Sequence, residues 1–152
     1  MTQRAACDSP FGRLVLNEED GAIAKLRWSP EEIEGNSSAL LRDACAQLGE
    51  YFAGTRKVFD LPIAFAPGLT GQVQRAMCAI PMGQTRTYGD LAREMGASAQ
   101  AIGQACGANP IPIIVPCHRI LGASGLGGFS APGGVETKVA LLKHEGAASL
   151  LI

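Results

Sequence analysis

Hydrophobic and polar residues alternate in two neighbouring segments near the start of the chain. The segments are 11–16 (FGRLVL) and 22–28 (AIAKLRW), and Glu18-Glu19-Asp20-Gly21 lies between them. A period of two is the spacing of a strand with one buried face, and Asp-Gly favours a tight turn between antiparallel strands. The pattern therefore predicts a β-hairpin.

The pattern changes to helical spacing after Ser37. Apolar residues recur at three- and four-residue intervals from Leu40 to Phe52, and Gly54 follows as a stop signal. Residues 58–65 (VFDLPIAF) then predict a strand, which the proline inside it places at the edge of a sheet. Together these elements predict a small α/β unit.

Pro67-Gly68 is the expected domain boundary, within a linker near residues 64–69. Beyond it the apolar spacing is helical. Two short helices are expected on either side of Gly96, and such a pair is typical of a helix-turn-helix as well as of a plain helical hairpin. The predicted helices begin at Leu69, at Tyr88 after a Thr87 cap, at Ala99 after a Ser98 cap, and at Glu136.

An apolar run, 111–115 (IPIIV), leads into Pro116-Cys117-His118-Arg119 and is expected to be buried. Cys117 is thus followed by a potential base and by a fixed positive charge. Such neighbours lower the pKa of a thiol and make it a nucleophile. A bare Cys-His pair is more often structural, so the flanking sequence carries the functional interpretation.

Composition limits the classes of function. The 152 residues are 47% hydrophobic and 18% charged, with a net charge of −1, which disfavours a chain built around a large basic surface. No apolar run approaches the roughly 20 residues of a membrane span, and no secretory signal is seen, so a cytoplasmic protein is expected. The five cysteines show no CxxC or zinc-site spacing, and no metal or other cofactor is expected.

Charge is distributed unevenly along the chain. Residues 1–66 carry seven basic and ten acidic side chains, whereas residues 67–152 carry six and four, giving net charges of −3 and +2. A polyanionic partner is therefore expected at the C-terminal part.

Three motifs together resemble the alkylguanine-DNA alkyltransferases, also called methylated-DNA–protein-cysteine methyltransferases. The likeness is strong over about residues 69–146 and weaker over 10–66, where SPFGRLVL and LGEYFAG resemble the family's N-terminal domain. The motifs are TYGDLA at 87–92, NPIPIIVPCHRI at 109–120 and HEG at 144–146.

The resemblance implies an α/β N-terminal domain, residues 1–66, and a mostly helical winged-helix-type DNA-binding domain, residues 67–152, that carries the active-site cysteine. It also implies that Cys117 takes the alkyl group from the 6-oxygen of guanine in one irreversible, stoichiometric displacement. The expected partner is double-stranded DNA containing alkylated guanine, and the expected state is a monomer.

Roles for five residues follow from the same resemblance. His118 matches the histidine that deprotonates the thiol through a water, and Glu145 matches the glutamate that orients this histidine. Asn109 matches an asparagine that braces the active-site turn, and Tyr88 matches a tyrosine that helps rotate the nucleotide and assists the departing guanine. Arg119 matches a residue held in internal salt bridges, with Asp90 or Glu94 as candidate partners.

DNA contact and base flipping are expected at the second helix of the helix-turn-helix. Its sequence is AQAIGQACG, and Gln100 stands where the family commonly has an arginine that fills the gap in the base stack. Weaker, salt-sensitive DNA binding is therefore expected. The residues expected at the DNA are Gln100, Ala99, Ala101, Thr87 and Arg119.

The glycine-rich segment 122–134 matches the loop that walls the base pocket in the family. It fits neither common nucleotide-binding glycine motif. The residues expected to form the pocket are Tyr88, Phe129, Ser130, Val115 and Pro116.

Two other functions are weighed against alkyl transfer. The first is a non-catalytic sensor of alkylated DNA with the same fold, which the presence of Cys117 disfavours. The second is a Cys-His thiol enzyme acting on small substrates, which would turn over, whereas the alkyltransferase reacts once per molecule.

Overall fold

A computed structural model describes residues 2–33, 37–122, 129 and 133–147. The chain divides into two compact units, Met1–Ala64 and Phe65–Ile152. Within the described residues, no helix has the length and apolar character needed to cross a membrane.

The first unit is a three-stranded antiparallel sheet in the order β1-β2-β3, covered by one helix. The strands are β1 (Thr2–Ser9), β2 (Gly12–Glu19) and β3 (Ala22–Trp28), and the helix is α1 (Ala39–Phe52). The predicted hairpin is confirmed as β2 and β3, which join at Asp20-Gly21. Strand β1 is an addition to the prediction, paired with β2 from Thr2 opposite Glu19 to Ser9 opposite Gly12.

Helix α1 is confirmed, and it begins directly after its N-cap residue, Ser38. The Ser38 hydroxyl accepts a hydrogen bond from the backbone N–H of Leu41, which satisfies a free donor of the first turn. The helix and the sheet share a core, and its fully buried members include Leu14, Leu16, Ile23, Leu41 and Tyr51.

The prediction of a strand over residues 58–65 is wrong. That segment makes one isolated bridge, in which Ile23 donates to Pro62 and Ala64 donates to Ile23. Pro62 has no N–H with which to extend a ladder. The side-chain amide of the buried Gln47, and not a neighbouring strand, bonds the backbone of this segment. Its Oε1 accepts from Asp60 N and its Nε2 donates to Asp60 O.

The second unit is mostly helical. It contains α2 (Gly68–Cys78), β4 (Arg86–Thr87), α3 (Tyr88–Met95), α4 (Ala99–Gly107), β5 (Ile120–Leu121) and α5 (Val135–His144). Strands β4 and β5 form a short parallel pair. Helix α2 begins at Gly68, inside the expected linker, and Pro67 directly before it is the N-cap residue. The predicted fold class, a small sheet domain followed by a mostly helical one, is confirmed.

Helices α3 and α4 have the bounds that their capping residues predict. Thr87 and Asp90 form a reciprocal capping box, and Gly96 ends α3 with a φ of 65°, a conformation that glycine adopts without steric cost. Ser98 caps α4 two residues later. The two helices are joined by the short connection that a helix-turn-helix has, and their buried Leu91 and Ile102 contribute to the core.

Candidate active site

The apolar run before Cys117 is buried as expected, but it forms turns, not a regular element. Ile114 N donates to Pro112 O at 2.9 Å, and Ile113 between them has a φ of 72°. This is a γ-turn with positive φ, a strained conformation for a β-branched residue. A second γ-turn follows, closed by Cys117 N donating to Val115 O at 2.8 Å. Two successive turns thus place Cys117 at the start of a 3-10 turn, Cys117–Arg119.

Asn109 bridges the two sides of this turn segment. Its Oδ1 accepts from Ile111 N at 3.1 Å, and its Nδ2 donates to Val115 O at 3.0 Å. The amide also acts to lower the pKa of the Cys117 thiol. The buried Gln74 of α2 lies behind it, with Nε2 at 3.5 Å from Asn109 Oδ1, while Gln74 Oε1 accepts from Ala66 N at 2.8 Å. The sequence singled out Asn109 but gave no sign of Gln74, whose contacts join distant segments.

His118 is fully buried and its orientation is set by Glu145. Nε2 lies 2.6 Å from Glu145 Oε2, so Nε2 carries the proton that is shared with the carboxylate. Nδ1 is buried and has no hydrogen-bond partner in the described part of the chain. Burial lowers the pKa of His118, which keeps the ring neutral and leaves a lone pair on Nδ1.

Arg119 fixes the same carboxylate. Its Nε donates to Glu145 Oε1 at 2.8 Å, its Nη2 to Oε2 at 3.0 Å and its Nη1 to the Ile80 carbonyl at 2.6 Å. This fork, together with His118, holds the pKa of Glu145 down at about 2 against the opposing effect of burial. Glu145 follows α5 directly, so the relay joins the 3-10 turn to the end of the last helix.

The prediction that Arg119 pairs with Asp90 or Glu94 is wrong. Asp90 pairs with Arg93 at 2.6 Å and Glu94 with Arg86 at 2.6 Å, both on or next to α3. Arg119 is 6% exposed. Its donors are directed at buried acceptors, and this placement does not support the expected contact with DNA.

The pKa of Cys117 is raised, contrary to the lowering expected from its neighbours. Burial is the cause, because a thiolate loses solvation in an apolar surrounding. The polar amide of Asn109 and the charge of Lys138 oppose this rise in the pKa. Lys138, in α5, is fully buried and its Nζ donates to the Ile120 carbonyl at 2.6 Å. Nothing in the sequence indicates this burial, because an amphipathic helix ordinarily exposes its lysines.

A cavity of about 250 Å³ opens beside Cys117. Of the residues expected to form the pocket, Tyr88 and Phe129 lie on its wall, whereas Val115 and Pro116 are buried and do not line it. Ser130 lies outside the described residues. Burial and the neighbouring thiols raise the pKa of Tyr88. The full lining is Tyr88, Gly103, Cys106, Gly107, Asn109, Pro112, Cys117 and Phe129.

Helix α4 supplies the part of this wall that the sequence did not predict. Gly103, Cys106 and Gly107 share one face of the helix at spacings of three and four. A Cβ built on Gly103 or on Gly107 meets no atom within 4 Å. The small side chains of this face therefore leave the space beside the thiol open.

The residues expected to contact DNA lie at the start of α3 and of α4. Ala99 and Gln100 are exposed and Ala101 is half-buried, while the Thr87 hydroxyl is engaged in the capping box. None of the described residues forms a cluster of three or more histidine, cysteine or acidic side chains that could hold a metal ion.

Two family models match the chain over nearly its whole length. Residues 4–65 match the ribonuclease-like domain of 6-O-methylguanine DNA methyltransferase, and residues 69–147 match the DNA-binding domain of the same protein. Because both halves match in chain order, the two units correspond to the two domains of one family.

Named relatives are similar over most of their length. A methylated-DNA–protein-cysteine methyltransferase of Mycolicibacterium paratuberculosis is 39% identical, covering 95% of this chain and 93% of the relative. The constitutive methylated-DNA–protein-cysteine methyltransferase of Bacillus subtilis is 36% identical, covering 95% and 96%.

Solved structures agree with this assignment. The crystal structure of Mycobacterium tuberculosis O6-methylguanine methyltransferase aligns with a TM-score of 0.83 at 36% identity, covering 97% of this chain and 94% of that one. A structure of Mycobacterium tuberculosis OGT in complex with DNA aligns with a TM-score of 0.82 at 38% identity, covering 95% and 93%. The chain therefore belongs to the 6-O-methylguanine DNA methyltransferase family, together with the methylated-DNA–protein-cysteine methyltransferases that it resembles throughout.

Proposed function

We propose that this protein repairs DNA by moving the alkyl group from the 6-oxygen of alkylated guanine to the sulfur of its own Cys117. The observation that carries the proposal is the state of His118. Its Nε2 is occupied by Glu145, so its buried Nδ1, which has no hydrogen-bond partner among the described residues, is the nitrogen left to accept the thiol proton. Family membership and the likeness to a DNA complex support DNA as the partner.

The reaction is a single in-line displacement. Cys117 loses its proton to Nδ1 of His118 through a water, and the thiolate attacks the alkyl carbon. The carbon–oxygen bond breaks and guanine leaves with the electron pair, taking up a proton. Glu145 and Arg119 keep the imidazole in the accepting tautomer, and Lys138 and Asn109 favour the thiolate over the thiol. The resulting thioether is stable, so each molecule reacts once.

Substrate entry requires base flipping. The cavity beside Cys117 is walled by α4, the turn segment and Phe129, whereas the 6-oxygen of a paired guanine lies stacked within the duplex. We infer that the nucleotide rotates into this cavity between Tyr88 and Phe129. The exposed start of α4, including Gln100, is the surface proposed to fill the gap in the stack.

DNA binding in this proposal is electrostatically weak. Of the six basic residues in 67–152, Arg119 and Lys138 are buried, and Arg86 and Arg93 are paired with carboxylates. Few cations are left to neutralise phosphates, so affinity should still fall as salt rises, as expected from the sequence, but with a small slope. We further propose that the protein acts as a monomer in the cytoplasm, where its five free cysteines would stay reduced.

The test is mass spectrometry of the whole protein and of its peptides after incubation with a duplex carrying one O6-methylguanine. The expected result is one added methyl group per molecule, on the peptide that contains Cys117. Cys117→Ser should abolish it, and Cys78→Ser, which changes an exposed cysteine, should not. Binding without added mass would indicate the sensor, and product beyond one equivalent would indicate a turning-over thiol enzyme.

A further inference from the structure

Helix α1 lies along strand β1 and is held at both ends. At its start, the Ser38 hydroxyl donates to the carboxylate of Glu18, the residue of β2 that pairs with Gln3. At its end, the Phe52 ring packs edge-on against Phe11, with ring centroids 5.7 Å apart. The helix therefore runs in the direction of β1, from the Gln3 end of that strand towards the turn that follows it.

These two anchors bring a pair of cysteines together. Cys45 is midway between Ser38 and Phe52 on the helix, and Cys7 is midway between Gln3 and Phe11 on the strand. Cys7 is two residues from the buried Ala5 and so shares its face of the sheet. Cys45 is four residues after the buried Leu41 and three before the buried Leu48, so it shares the face of α1 that packs on the sheet, and both cysteines are half-buried, within reach of small solutes.

The neighbouring Cys7 makes Cys45 unlike the other cysteines. The Cys7 thiol favours the Cys45 thiolate, so the pKa of Cys45 is lowered, and the interaction with Cys45 together with burial raises the pKa of Cys7. Burial raises the pKa of Cys78 and of Cys117, and it raises the pKa of Cys106 to about 12. All five cysteines are described, and Cys45 alone is shifted towards the nucleophilic thiolate.

We propose that Cys7 and Cys45 form a modification site, a dithiol that a hydroperoxide oxidises to an intramolecular disulfide joining β1 to α1. The Cys45 thiolate attacks one peroxide oxygen, and the O–O bond breaks to give a sulfenic acid and hydroxide. The Cys7 sulfur then attacks the Cys45 sulfur and releases water. In total, two thiols and one hydrogen peroxide become one disulfide and two waters.

The second step is favoured by the first. Once Cys45 is a sulfenic acid it is no longer a thiolate that favours the protonated Cys7, so its interaction ceases to raise the Cys7 pKa and the effect of burial remains. The resolving sulfur lies on the strand along which α1 is anchored, so no segment of chain has to move far. The site lies in the first unit, whereas Cys117 and its cavity belong to the second. Oxidant is thus consumed without loss of the thiol proposed to accept the alkyl group.

The experiment is a titration of the reduced full-length protein with hydrogen peroxide, followed by blocking of free thiols with iodoacetamide and tryptic mapping without reductant. Cleavage after arginine places Cys7 in fragment 5–13, Cys45 in 43–56, Cys78 in 76–86, and both Cys106 and Cys117 in 94–119. The expected product is 5–13 joined to 43–56, two hydrogens lighter than their sum. Fragments 76–86 and 94–119 should remain carbamidomethylated at the same dose.

Two variants and one condition make the result decisive. Cys45→Ser should remove the linked fragment, and Cys78→Ser, a matched change at an exposed cysteine, should leave it. When the protein is oxidised while unfolded in urea, disulfides should form among all five cysteines without preference for the Cys7–Cys45 pair. The proposal is overturned if 94–119 or 76–86 oxidises first, or if the linked fragment forms no faster in the folded protein than in urea. Neither outcome depends on alkyl transfer.

Discussion

Nε2 of His118 lies 2.6 Å from Oε2 of Glu145, and neither side chain is exposed to solvent. The same oxygen accepts from Arg119 Nη2 at 3.0 Å, so one carboxylate orients a neutral imidazole and neutralises a buried guanidinium. In the proposed mechanism, stability and reactivity therefore depend on the same group, and the two effects can be separated by measurement.

Glu145→Gln should damage both properties. The substitution leaves Arg119 as a buried charge without its carboxylate, which costs about 3–5 kcal/mol in the free energy of unfolding. It also frees the imidazole to change tautomer, and the single-turnover rate of alkyl transfer should fall by roughly 10²-fold or more. Urea unfolding and quenched-flow transfer assays measure the two effects. Glu136→Gln, an exposed change at the start of α5, should alter neither.

The fold should lose stability as pH falls. The folded pKa of Glu145 is depressed to about 2 from 4.5, so its contribution is present above 4.5 and is lost as pH falls towards 2. The pKa of His118 is lowered from 6.5, so the unfolded chain binds that proton first and stability begins to fall below about pH 6.5. Melting temperature across pH 7 to 3 measures the sum. In Glu145→Gln the loss below pH 4.5 should be smaller, and a wild-type melting temperature that rises on acidification would contradict the assignment.

Gly103→Ala should narrow the range of alkyl groups accepted. The new methyl group meets no atom within 4 Å, and alanine is favoured over glycine in a helix by roughly 0.5–1 kcal/mol, so the variant should fold at least as well. It extends into the cavity beside Cys117, which should slow transfer of a benzyl group more than of a methyl group. Competing O6-benzyl- and O6-methylguanine duplexes give the ratio directly. Gly49→Ala, an equally unobstructed change in α1, is the matched control, and an unchanged ratio in Gly103→Ala would show that this face does not limit substrate size.

Gln100→Arg should tighten DNA binding or speed repair. Gln100 is exposed in the first turn of α4, and an arginine there adds a cation where the helix is proposed to enter the duplex. The dependence of log affinity on log salt should become steeper by about one phosphate contact. Gln104→Arg adds the same charge one turn later, also exposed, and should have the smaller effect. Equal kinetics and affinity in wild type and Gln100→Arg would show that the side chain at this position does not enter the base stack of the duplex.

The sequence by itself determined the features that depend on neighbours along the chain. Thr87 and Gly96 define α3 because a cap and a left-handed stop act within one helical turn. The β2–β3 hairpin follows in the same way from alternation and an Asp-Gly turn. The family resemblance likewise rests on short contiguous motifs.

The tertiary structure decided what depends on distant segments. Strand β1 has few apolar residues and is ordered by its full-length pairing with β2, while 58–65 looks like a strand but finds only one bridge on Ile23. The Arg119–Glu145 fork spans 26 residues, and no local rule selects that partner over Glu94. The direction of the Cys117 pKa shift was decided in the same way. The charged neighbours are visible in the sequence, but the desolvation that outweighs them exists only once the chain has packed around the thiol.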